Sequence, residues 1–357
     1  MERLVIAGGW PLSGTTRIRG AKNATLPILG AALLTNQKTV IHDAPRLSDV
    51  RNMQGILAKL GADVTTDGSS IIVDSSQVNS WEIPENLMRE MRSSIFLMGP
   101  LLGRFGKVRV SYPGGCAIGS RPIDLHLKGL SALGAEIVEK HGYIHAEAAE
   151  LKGAEIHLDF PSVGATENIM MAAVRARGQT IIGNAAKEPE IVDLQNFLNG
   201  MGAKIRGAGT DVIKIDGVTT LGSVEYTVIP DRIVAGTMML AAAITGGDVV
   251  VENIIIEHLE PIIHKLRETG VEVIQGEDQV RVIGHRPLTA VDIRTLPHPG
   301  FPTDLQAPMM ALLAVAQGTS MVTETIFDGR YKHVDELRRM GANIKTEGRT
   351  AVIKGVP

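Results

Sequence analysis

Leu60-Gly61-Ala62-Asp63-Val64 is the stretch that decides the fold, because its pattern returns four times, as Leu133-Gly134-Ala135-Glu136-Ile137, Met201-Gly202-Ala203-Lys204-Ile205, Thr269-Gly270-Val271-Glu272-Val273 and Met340-Gly341-Ala342-Asn343-Ile344. The successive glycines are 73, 68, 68 and 71 residues apart. A fixed period of this size marks one supersecondary unit used repeatedly. Each phrase ends an amphipathic helix on a glycine, the residue that takes a left-handed C′ position at no steric cost. It then runs into two short alternating segments joined by a turn, as in 62–66, Asp67-Gly68 and 69–73. The phrase predicts a helix followed by a hairpin.

Upstream of each phrase stands an almost wholly apolar helix and then a strand: 24–34 before 39–41, 94–102 before 108–110, 165–174 before 180–182, 234–244 before 249–251, and 305–316 before 320–322. A helix apolar on nearly every face belongs in a core. The unit therefore reads strand, buried helix, strand, amphipathic helix, strand, strand, over about 70 residues, and such units need neighbours to bury their helices. The last apolar strand, 351–357, reads as equivalent to residues 4–8. A repeat of this kind also suits a solenoid scaffold without chemistry, and only its polar residues distinguish the two.

Of 357 residues, 44% are hydrophobic and 21% charged, too apolar for a disordered chain and enough for more than one core. A net charge of −3 argues against a nucleic-acid partner held by bulk electrostatics, so any bound anion must be met locally. Two Trp, four Tyr and six Phe leave little for stacking on bases. One cysteine, Cys116, rules out an internal disulfide and a Cys-rich metal site and suits a reducing compartment. No apolar run has signal-peptide character at the start or bilayer length elsewhere, so a cytoplasmic protein without a membrane partner is expected.

The starts of the five apolar helices carry Lys22-Asn23, Arg92 with Ser93-Ser94, Ser162-Val163-Gly164, Asp231-Arg232 and Asp304. Equivalent helices of a repeat pack in parallel, so their positive ends gather on one face, which with Lys22 and Arg92 suits an anion such as phosphate. Ordinary capping by Ser162 and Asp304 is the plainer reading. Basic residues at a helix start oppose the dipole, however, and ask for an anion nearby. In Pro113-Gly114-Gly115-Cys116-Ala117-Ile118-Gly119-Ser120-Arg121-Pro122, three glycines surround a thiol, with Arg121 placed to lower its pKa or hold a substrate anion. A buried filler cysteine remains the alternative.

Gly106-Lys107 fails the phosphate-loop pattern, because Val108 follows the lysine. No histidine pair has zinc-helix spacing, and His298 between two prolines reads as a turn residue. The acidic run from Lys187 to Asp193 can ligate a cation or form a solvated helix start, and the latter is the expectation. Neither metal nor cofactor is predicted.

Gly20-Ala21-Lys22-Asn23-Ala24, the Cys116 loop, Ser162-Val163-Gly164-Ala165-Thr166, Glu188-Pro189-Glu190-Ile191-Val192-Asp193 and Phe301-Pro302-Thr303-Asp304 closely resemble the UDP-N-acetylglucosamine 1-carboxyvinyltransferase (enolpyruvyl transferase) family. The likeness runs from Met1 to Pro357. It implies a two-domain inside-out α/β barrel of repeated βαβαββ units about pseudo-threefold axes, with 22–229 in one domain and 1–21 plus 230–357 in the other. Six units are expected and five are present here. The implied reaction moves the enolpyruvyl group of phosphoenolpyruvate to the 3-hydroxyl of UDP-N-acetylglucosamine, releasing phosphate and starting peptidoglycan synthesis. A binding remnant of that enzyme, or the shikimate-pathway enolpyruvyl transferase, are the alternatives.

By position, Cys116 resembles the family's proton donor, also able to add to phosphoenolpyruvate, Asp304 its base and Lys22 a third catalytic residue. Lys22, Asn23, Arg121 and Arg330 would hold phosphoenolpyruvate. Asn23, Arg92, Arg121, Pro122, Ile123, Asp124, Leu125, Ser162, Val163, Gly164, Asp304 and Ile326 would hold the sugar nucleotide. Phe160 departs from members that carry lysine there. Such chemistry needs an acid for the methylene carbon, a base for the hydroxyl and fixed positive charge for phosphate and carboxylate.

Overall fold

The computed structural model of the chain describes residues 5–112 and 122–356, without the side chains of Arg89, Glu90 and Arg92. The chain forms two compact units, which among the described residues take 19–112 with 122–229, and 5–18 with 230–356. All five predicted helix-to-hairpin junctions are present: Gly61, Gly134, Gly202, Gly270 and Gly341 sit at φ of 104°, 97°, 101°, 89° and 100°. Each opens an antiparallel hairpin, from Asp63–Asp67 with Ser70–Asp74 to Asn343–Glu347 with Thr350–Lys354.

In the first unit three sheets surround three apolar helices, Lys22–Ala31, Met98–Phe105 (led by the 3-10 turn Arg92–Leu97) and Val163–Ala173. Glycines let them approach. A methyl on Gly30 would stand 3.3 Å from Leu97 and 4.0 Å from Met171, and about one turn further on a methyl on Gly103 would stand 3.1 Å from Leu34 and 3.2 Å from Arg175. All three helices advance together between these two levels, so they run parallel and start at the same end. Gly99 brings the second and third of these helices closest: its missing Cβ would lie 2.2 Å from the carbonyl oxygen of Asn168. The Asn168 side chain accepts from Gly99 N at 2.5 Å and donates to Ile95 O at 3.0 Å, supplying partners where the backbone of a helix start would lack them.

The second unit has two four-stranded sheets and two apolar helices, Arg232–Thr245 and Gln306–Leu313. They cross where Gly236 meets Leu305, a Cβ there lying 2.5 Å from Leu305 Cδ1. Burial all round was expected for both. On Arg232–Thr245, however, Val234 and Met238 are 42% and 38% exposed, because among the described residues only one apolar helix packs beside it.

Two strands are exchanged between repeats, which no local pattern announces. Glu225–Thr227, just ahead of the helix Arg232–Thr245, pairs in parallel with Lys38–His42, whereas Ser13–Arg17, just ahead of Lys22–Ala31, pairs with Asp248–Glu252. The expected strand near residues 4–8 is thus corrected to Ser13–Arg17. Gly8-Gly9 and Pro11 disfavour pairing earlier, and Val5, Ile6 and Trp10 are exposed. Thr350–Lys354 is the inner strand of the last sheet, bonded to Thr319–Thr323 and Asn343–Glu347. Among the described residues no helix is long and apolar enough to cross a membrane.

Candidate active site

Lys22 opens its helix behind Ala21, which offers no capping side chain, and its Nζ donates to Asp49 Oδ2 at 3.2 Å, with both side chains partly exposed. Asn23 beside it is exposed. At the start of Val163–Ala173, Ser162 does cap, accepting from Ala165 N at 3.4 Å. Pro122, Ile123, Asp124 and Leu125 lead into the helix Asp124–Ala132, which lies against Val163–Ala173: a methyl on Gly164 would stand 3.1 Å from His126 Cε1, and one on Gly129 would overlap Ile169. The ion pair Lys128–Asp159 (2.7 Å) ties the segment ahead of Ser162 to the same helix. The structure thus brings 122–125 and 162–164 together on one edge of the first unit, with Phe160 44% exposed nearby in sequence. Cys116 and Arg121 lie outside the described residues, as does the side chain of Arg92.

In the second unit Asp304 occupies the 3-10 turn Thr303–Leu305 that opens Gln306–Leu313. Its side chain makes no capping bond of the kind its place suggests; instead Oδ1 accepts from Arg330 Nη2 at 2.5 Å. Arg330 Nη1 donates to Thr303 Oγ1 at 3.1 Å, and its guanidinium carbon lies 5.4 Å from the Phe327 ring centroid. The Arg330 side chain is 17% exposed and that of Asp304 39%, so the carboxylate is the reachable partner of an otherwise enclosed cation. Ile326 belongs to the loop after Thr319–Thr323, and that loop is folded by Glu324, which accepts from the amides of Ile326 (2.8 Å) and Phe327 (3.2 Å).

Sequence reasoning missed Glu324 and Asp49. Neither was singled out, since the side chains that meet them, Thr295 and Thr303 for Glu324 and Lys22 for Asp49, stand 21 or more residues away in the chain. The acidic run was also misjudged. The helix Pro189–Gly200 does begin there, but Glu190 and Asp193 are 3% and 1% exposed rather than solvated. Burial lifts the Asp193 carboxyl to about 6 against the pull of Tyr226 Oη, which donates to it at 2.6 Å. Glu167, wholly buried, is pushed well above its usual range by desolvation, then by Glu190 and Glu188. Among the described residues no His/Cys/Asp/Glu group is arranged to hold a metal ion.

The chain is 61% identical over 362 residues to UDP-N-acetylglucosamine 1-carboxyvinyltransferase 1 of Symbiobacterium thermophilum, an alignment spanning 100% of this chain and 82% of that protein. It belongs to the UDP-N-acetylglucosamine 1-carboxyvinyltransferase family. A second member, from Carboxydothermus hydrogenoformans, is 58% identical across 100% of the chain and 85% of its own length. The broader family model described as EPSP synthase (3-phosphoshikimate 1-carboxyvinyltransferase) matches residues 6–357, so the carboxyvinyltransferase family to which this chain belongs is one of transferases. Among solved structures, the enolpyruvyl transferase NikO from Streptomyces tendae has the same fold, with a TM-score of 0.86 at 23% identity over 98% of this chain and 83% of that one. An EPSP synthase from Acinetobacter baumannii shares it at a TM-score of 0.74, 19% identity and the same coverage.

Proposed function

We propose that this protein transfers the carboxyvinyl group of phosphoenolpyruvate to the 3-hydroxyl of UDP-N-acetylglucosamine with release of phosphate, the committed start of peptidoglycan synthesis. The observation that carries this reading is the 61% identity, over the full chain, to a relative bearing that name. The Asp304–Arg330 pair supports it: an accessible carboxylate suits a base for the sugar hydroxyl, and an enclosed guanidinium suits fixed charge for the carboxylate of phosphoenolpyruvate. Lys22, Asn23 and Arg121 would complete the phosphoenolpyruvate subsite. The edge formed by 122–125 and 162–164, with Asn23, Arg92 and Ile326, would take the sugar nucleotide. Cys116 would protonate the methylene carbon. A lone cysteine in a chain without disulfides agrees with a cytoplasmic setting.

Continuous phosphate detection with purified chain, phosphoenolpyruvate and each candidate acceptor tests this. Release is expected with UDP-N-acetylglucosamine and not with shikimate 3-phosphate. No release at saturation, with the sugar nucleotide still bound, would reduce the protein to a binding module.

A further inference from the structure

The repeat supplies an internal control for one residue that no local pattern explains. In four of the five repeats the first residue after the parallel edge strand donates its amide to the last residue of the neighbouring strand: Ile18 to Glu252, Leu158 to Gly183, Val228 to His42 and Thr295 to Thr323, at 2.9 to 3.2 Å. In three of them a left-handed Asp43, Asn184 or Asn253 follows the neighbouring strand, with φ of 56°, 53° and 58°. The next residue, Ala44, Ala185 or Ile254, is buried and donates its amide across to the hairpin turn, to Ser69, Asp211 or Asp278. In the fifth repeat the left-handed residue is absent. The position that bonds across to the turn, by Glu324 N to Arg349 O at 2.9 Å, follows Thr323 directly and carries a glutamate that is 0% exposed.

The fold fills this place with Ala, Ala and Ile, so it does not itself require a buried carboxylate, which is costly unless satisfied. Here it is satisfied. Glu324 Oε1 accepts from Thr295 Oγ1 at 2.9 Å and from the amides of Ile326 and Phe327, while Oε2 accepts from Thr303 Oγ1 at 2.9 Å. The two amides alone would fold the loop. The Thr303 bond does something different. A hydroxyl has one proton to give, and by giving it to Glu324 the Thr303 oxygen must present lone pairs in the remaining directions. One of those directions is taken by Arg330 Nη1, whose other nitrogen holds Asp304. Thr295 repeats the same polarity, donating to Glu324 and accepting from Thr325 N at 2.9 Å.

We propose that Glu324 is a positioning residue for carboxyvinyl transfer: through the Thr303 hydroxyl it fixes the Arg330 guanidinium against Asp304, and through the loop amides it fixes Ile326. This rests on the reading of Asp304 and Arg330 as base and substrate cation. Glu324 is enclosed and touches no reacting atom. It sets the hydrogen-bond direction of a hydroxyl whose acceptor face orients the arginine, so that the cation and the carboxylate keep one geometry when substrate arrives.

The test uses the full chain with Thr303→Val, which keeps the shape and removes the hydroxyl, Thr303→Ser, which restores it, Glu324→Gln, and the Thr303→Val/Glu324→Gln pair. kcat/KM for phosphoenolpyruvate should fall roughly tenfold or more in the valine and glutamine variants and stay within about threefold in the serine variant, as expected for loss of a hydrogen bond to a charged group. The double variant should lose no more than the worse single one, because both act on one chain of contacts. Losses that multiply, or a valine variant as active as the parent, would overturn the proposal. A crystal structure of Thr303→Val gives a readout independent of turnover: the guanidinium should leave Asp304, and its staying in place would overturn the proposal too. A parent chain that never releases phosphate would sink the functional reading alone and leave that structural outcome to decide the relay.

Discussion

Glu167 in the first unit and Glu324 in the second are both glutamates with essentially no exposure, yet their surroundings are opposite. Around Glu324 four donors converge, two hydroxyls and two amides. Around Glu167 neither carboxylate oxygen meets a donor among the described residues, and Glu188 and Glu190 add like charge. Burial by itself therefore says little about a carboxylate, because the donor set decides whether it anchors a site or merely resists ionising. The electrostatic result follows: desolvation first, then Glu190 and Glu188, push the Glu167 carboxyl well up, so it is held neutral in a pH range where an exposed glutamate is charged.

The largest effect expected from this contrast comes from putting a glutamate where another repeat buries an alanine. Ala185 occupies in its sheet the place of Glu324, with its amide bonded to Asp211 O and 0% exposure. Ala185→Glu should cost about 4–5 kcal/mol in urea unfolding, combining overpacking with an unsatisfied buried carboxylate. A loss under about 1 kcal/mol would mean that the place tolerates the group without its threonines. Next, Glu324→Gln should destabilise by about 1–3 kcal/mol, since an amide cannot accept all four bonds.

The same substitution at Glu167 should have the other sign at neutral pH. The folded state raises this group's pKa, so it keeps a proton that the unfolded chain releases above about 4.5; stability therefore falls as pH rises from there toward the raised value. Glu167→Gln has no proton to lose, and its melting temperature relative to the parent should climb between pH 5 and pH 8. A difference that stays flat with pH would show that Glu167 finds a partner in solution. The smallest effect is at Tyr226→Phe, which removes the hydroxyl that donates to Asp193 while keeping the ring edge-on to Phe197. It should cost about 1 kcal/mol and move the Asp193 titration, followed by NMR, above its starting value of about 6.

The repeat, the helix-to-hairpin order and the burial of the first unit's apolar helices were legible because they rest on period, apolar composition and glycine at Gly61 and its four counterparts, all local properties. The exchange of Ser13–Arg17 and Glu225–Thr227 was not, since the choice of a parallel partner 185 or more residues away leaves no mark on the strand itself. Asp304 stood out by its place at a helix start, and Arg330 only through resemblance. Their mutual contact replaces the capping role that spacing suggested, and the residue that holds them was missed because Glu324 gathers its hydroxyl donors from Thr295 and Thr303, 29 and 21 residues upstream. The run from Lys187 to Asp193 looked solvated because charge favours water, but Tyr226, brought in by a distant strand, bonds Asp193 at its buried end.

The fate of the phosphoenolpyruvate carbons tests carboxyvinyl transfer most directly. With carbon-labelled phosphoenolpyruvate, UDP-N-acetylglucosamine and the full chain, mass spectrometry should find all three labelled carbons in the sugar nucleotide, one equivalent per phosphate released. Label remaining in phosphoenolpyruvate while the sugar nucleotide is bound, or label passing instead to shikimate 3-phosphate, would contradict it.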